Sequence, residues 1–69
     1  MLNNRKCKVK TAAELDAEVR DILALEMVGR GDEISGTLYV DYEDEAVKNS
    51  SLITQLTIRG VDVVWRKGS

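Results

Sequence analysis

The apolar and polar positions of Leu52–Lys67, LITQLTIRGVDVVWRK, fold back on themselves as a pattern. Folded about Arg59-Gly60, this stretch sets Ile58 against Val61, Leu56 against Val63 and Thr54 against Trp65. Thr57 then meets Asp62, and Gln55 meets Val64, on the other side. One side is almost wholly apolar and the other mostly polar, the pattern of a β-hairpin packed on one face. Ile34–Tyr42 alternates in the same way, with Ile34, Leu38, Val40 and Tyr42 opposite Ser35, Thr37, Tyr39 and Asp41. Gly36, in phase with the packed side, leaves room for a bulge or a close approach of a helix. Residues 5–10, RKCKVK, alternate Cys7 and Val9 with bases, the period of a short edge strand whose lysines discourage further pairing.

Between these runs the period changes. Leu15, Val19, Ile22 and Leu23 recur at helical spacing, with Glu14, Asp16, Glu18, Arg20 and Asp21 on the wet side. Thr11 and Glu14 have the spacing of a capping box, which places the helix start at Ala12. Met27 and Val28 extend the apolar content, and Gly29 or Gly31 ends the helix, with Gly29–Asp32 a flexible turn.

Glu43–Ser51, EDEAVKNSS, fits two readings. Asn49-Ser50-Ser51 is turn chemistry, and the threonines and isoleucines of residues 52–58 favour a strand. The preferred fold is therefore α+β: one N-terminal helix on a three-stranded antiparallel sheet, with a short fourth strand at residues 5–10. The alternative is βαβαβ, with a second helix at about residues 44–58, capped by Asp41 or Asp44, and parallel pairing. In either case residues 1–69 make a single small domain.

Composition narrows the chemistry. Hydrophobic residues make up 43% of the chain, too many and too periodic for a disordered segment. There is no histidine and one cysteine, so Ser-His or Cys-His nucleophile pairs and an internal disulfide are excluded. No apolar run nears the ~18 residues that span a membrane. The lone cysteine and the absence of a secretory signal fit a reducing cytoplasm. Cys7 sits among Arg5, Lys6, Lys8 and Lys10, and nearby cations lower a thiol pKa. Against a thiol enzyme stands the commoner role of free cysteine as a small buried hydrophobe.

Charge is laid out unevenly. Residues 1–10 carry four bases and no acid, whereas residues 32–45 carry six acids and no base. The acids Asp41, Glu43, Asp44 and Glu45 lack the glycine and spacing of a calcium loop. With Tyr39 they suit a contact surface for a partner protein with a basic surface. The expected function is that of a small non-enzymatic interaction protein binding through Tyr39, Asp41, Glu43, Asp44 and Glu45. An inhibitor or adaptor of the phage or mobile-element type, mimicking nucleic acid, fits by analogy of size and charge alone. The alternative is a nucleic-acid-associated regulator using Arg5, Lys6, Lys8, Lys10, Arg66 and Lys67. A net charge of −2 and a pI near 5.0 argue against that alternative. No cofactor, metal or membrane is expected as a partner. A homodimer is a further option, because Val64 faces away from the expected core near a sheet edge.

Overall fold

The computed structural model describes residues 4–26 and 33–68. In chain order the elements are β1 (Arg5–Val9), α1 (Ala12–Glu26), β2 (Gly36–Tyr42), a 3₁₀ helix (Glu45–Asn49), α2 (Ile53–Thr57) and β3 (Val61–Lys67). The strands lie in the order β1-β2-β3, and both pairings are parallel. This overturns the antiparallel sheet and the hairpin about Arg59-Gly60. The βαβαβ alternative fits in part, with its expected second helix split into two short pieces.

The physical reason lies in residues 43–60. Parallel neighbours need a crossover of a dozen residues or more, and here the chain supplies one by coiling rather than extending. Asp44 caps the 3₁₀ helix, its side chain accepting from the Ala46 N–H at 2.9 Å. Ser50 breaks the run and α2 follows. Arg59 fastens α2, donating from Nη1 to the Gln55 carbonyl at 2.8 Å and to Gln55 Oε1 at 2.7 Å. Gly60 then turns the chain out of α2 at φ +101°, its N–H donating to the Thr57 carbonyl. It is a helix-terminating glycine, and a Cβ there would sit 3.3 Å from the Ile34 carbonyl oxygen.

Helix α1 starts as its capping pattern predicts. The Glu14 N–H donates to Thr11 Oγ1 at 3.1 Å, while the Glu14 carboxylate accepts from the Lys10 N–H at 2.9 Å. Leu15, Val19 and Ile22 are fully buried and Leu23 packs partly against the core. The expected continuation through Met27 and Val28, and the turn at Gly29–Asp32, lie outside the described residues.

Both crossovers step the same way across the sheet, from β1 to β2 to β3. Crossovers of one hand that step in one direction leave their helices on one face. Consistent with this, α1 contacts β1, the 3₁₀ helix and α2. Between the helices and the sheet lie Cys7, Val9, Leu38, Val40, Tyr42 and Val61, with Ile34, Val47 and Leu56 from the connections. The packed phase of Ile34–Tyr42 is as the alternation implies. Ile58, expected in the core, is instead 68% exposed at the end of α2.

Asp16 joins the two crossovers. Expected on the wet side of α1, its Oδ1 accepts hydrogen bonds from the Ser50 hydroxyl and from the Leu52 N–H. Ser50 is the buried polar residue of the core region, and this carboxylate satisfies it.

The uncovered sheet face as candidate binding surface

Strand alternation fixes which side chains share the face away from the helices. Lys6 and Lys8 of β1, Thr37, Tyr39 and Asp41 of β2, and Asp62, Val64 and Arg66 of β3 have the opposite phase to the buried residues. The parallel register arranges them in rows. Lys6, Tyr39 and Val64 form one row; Lys8, Asp41 and Arg66 form the next; Thr37 and Asp62 begin a third. No described element packs on this face. Val64, the odd apolar member of its strand, is 38% exposed here.

The face is polar but largely matched in charge. Arg66 Nε lies 3.1 Å from Asp41 Oδ1, and the Arg66 guanidinium sits 5.9 Å from the Tyr39 ring centroid. Tyr39 is thereby held in place at the middle of the central strand. Past the carboxyl ends of the strands, Lys8, Asp41, Glu43, Arg66, Lys67 and Gly68 line an open groove of about 340 Å³.

The acidic run is less free than its composition implies. Asp41 pairs with Arg66, and Asp44 is used as a helix cap. Glu45 accepts from the Tyr42 hydroxyl at 3.2 Å and lies 3.4 Å from Lys67 Nζ and 3.6 Å from Lys48 Nζ. Partial desolvation pushes the Glu45 pKa up, but Lys67, Lys48 and Tyr42 together outweigh it and hold the carboxyl below its ordinary value. Lys48 also lies over the Tyr42 and Trp65 rings, which meet edge to face at 5.9 Å. Of the five residues expected to bind a partner, Tyr39 and Asp41 share the uncovered face. Glu43 is exposed just past β2, without an ion pair or side-chain hydrogen bond among the described residues.

The basic residues are also redistributed. Arg5 lies on the helix side of β1 and binds Glu18 at 3.2 Å and Asp21 at 3.0 Å, so it is no part of a basic strip. Lys6, Lys8 and Arg66 gather on the uncovered face beside Tyr39, which joins residues that the sequence assigned to two separate readings. Equal strand phase was the signal: each stands next to a residue of the buried set. Cys7 is the small buried residue that a free cysteine commonly is, and not an activated thiol. Burial pushes its thiol up to about 11, with Glu18 and Asp41 adding to the rise and Arg5 opposing it. The cations around it in sequence therefore do not activate it, because Lys6 and Lys8 point to the opposite face.

Among the described residues no helix is long and apolar enough to cross a membrane. They also contain no cluster of three acid or cysteine side chains able to hold a metal ion. Compared with known proteins, the chain matches no family model, no curated protein and no solved structure.

Proposed function

We propose that this chain is a small non-enzymatic binding domain that engages a partner protein through the uncovered face of its sheet. The observation that supports this is the one-sided parallel sheet. Parallel sheets are almost always covered on both faces, and here the second face has no cover among the described residues. Tyr39 is the anchor, at the centre of the sheet, where aromatic side chains carry much of a typical interface's energy. Lys6, Lys8, Asp41, Arg66 and Glu43 form the charged rim, with both signs present. Asp44 and Glu45 are engaged within the chain, while Asp41 and Glu43 supply the acidic contacts to a basic patch on the partner.

The test is capture by the immobilised chain, with each variant's fold checked by circular dichroism. Tyr39→Ala should lower partner affinity at least about tenfold. Neutralising Asp41 and Glu43 together should give a smaller loss. Capture unaltered by both changes would rule out this face.

A second reading rests on the three bases beside Tyr39, an arrangement that suits stacking of a single-stranded base with phosphates on Lys6, Lys8 and Arg66. Asp41 and Asp62 on the same face weigh against it. Binding to labelled single-stranded RNA or DNA that falls steeply with salt would favour it over the protein partner.

A further inference from the structure

Strand β3 ends the sheet, and no described element pairs with its outer edge. Its seven residues, VDVVWRK, are arranged symmetrically in chemistry about the central Val64. If a second β3 runs antiparallel with its own Val64 opposite the first, Asp62 of each copy faces Arg66 of the other. Val63 faces Trp65, and Val61 faces Lys67. The two charged pairs carry opposite signs, and both fall on the uncovered face. The two Val63–Trp65 pairs fall on the helix side, where both residues are only half-buried in the single chain. Aromatic against β-branched and opposite charge against opposite charge are the stabilising cross-strand pairs. Asp62 makes no ion pair or side-chain hydrogen bond with another described residue, so its carboxylate is available.

We infer that β3 is a self-pairing edge, and that two copies of this chain join along it about a two-fold axis at Val64. The product is one six-stranded sheet, with Arg66 placed between Asp41 of its own chain and Asp62 of the second copy. Exposed Val64 meets its counterpart at the axis, which accounts for an apolar residue on a polar face. The interface is isologous, so it closes at two copies. It is independent of what the sheet face binds, though it would double the area of that face.

Sedimentation velocity of the full chain over a wide concentration range tests this. The wild type should shift reversibly from one copy to two. Asp62→Lys and Arg66→Asp each set like charges opposite one another twice, and each should weaken association by about tenfold or more. The exchange Asp62→Arg with Arg66→Asp restores opposite signs and should recover most of the lost affinity. A wild type that stays single throughout, or an exchange variant as weak as its parents, overturns the proposal. A second measurement does not depend on charge. Val64→Cys, on an exposed position that leaves the core intact, brings two thiols within disulfide reach at the axis. With oxidised glutathione as oxidant it should cross-link far faster than Asp62→Cys, whose two copies lie ~14 Å apart along the strand in this register. Equal rates would place the axis elsewhere and sink the register.

Discussion

The sheet has two outer edges, and their chemistry is opposite. Paired with itself about Cys7, β1 would set Lys6 against Lys8 twice over, a repulsive arrangement. Paired with itself about Val64, β3 sets Asp62 against Arg66. Edge strands are commonly guarded by lysine, and β1 has that guard in both exposed positions, whereas the outward positions of β3 are Asp62, Val64 and Arg66 and its lysine comes only at the end of the strand, at Lys67. β1 is also strapped to its own helix by Arg5, Glu18 and Asp21. The difference shows that exposure alone does not make an edge adhesive. The sign and spacing of the alternate side chains decide it.

Three changes probe that contrast, beginning with the one that removes it. Leu38 is fully buried on the central strand, beneath both edges. Leu38→Ala should cost about 2–5 kcal/mol, comparable with the whole stability of ~3–5 kcal/mol that a single core supplies at this size. Urea unfolding followed by the fluorescence of Trp65, the one tryptophan, should show a chain largely unfolded in buffer.

The second change isolates β1. The folded Cys7 thiol keeps its proton to about pH 11, against an ordinary value of 9.0. The folded state therefore binds more protons than the unfolded state between those values. Its contribution is fully present below pH 9 and is lost as pH rises to 11, on the order of 2 kcal/mol. Cys7→Ala should flatten that part of the stability profile. An unchanged slope in urea titrations across the window would mean that other groups cause the decline.

The smallest effect on stability, within about 0.5 kcal/mol, is expected from Lys6→Thr with Lys8→Thr. This removes the guard of β1 without touching its buried side. Light scattering should then reveal a second mode of association beyond that of β3, and higher species in place of a closed pair.

Much of this fold was legible in the residues. The helix start at Ala12, the buried phase of Ile34–Tyr42 and the edge strand at the amino end follow from capping and alternation, which act locally. Strand direction does not. Alternation reports that one face is buried, and one-faced sheets are usually antiparallel, so the rule misled where this sheet departs from it. Residues 53–57 were misread for another reason. Thr54, Thr57 and Ile53 prefer strands, but Leu56 is buried beneath α1 and the Asp16 carboxylate holds the Leu52 N–H, so tertiary contacts override propensity. As for the surface, the alternation shows Tyr39 and Asp41 in the strand phase away from the core, where both are half-buried. Their grouping with Lys6, Lys8 and Arg66 depends on parallel register, and only the assembled sheet provides it. The use of Asp44 as a cap is local, as are the contacts of Glu45 with Tyr42 and Lys48, whereas its contact with Lys67 depends on the crossover that brings β3 alongside.

The contact from Asp16 to Ser50 and Leu52 also bears on the order in which the chain acquires its shape. A five-residue helix has almost no tendency to persist by itself, because nucleation consumes most of what so few hydrogen bonds return. The fifteen-residue α1, with its own cap, has far more. The carboxylate that stabilises the start of α2 is presented only after α1 has formed. The first crossover thus braces the second, and the hold on the start of α2 is lost wherever α1 is not formed. Loosening α1 therefore loosens the connection that delivers β3 to the sheet, and with it the edge through which two copies would join.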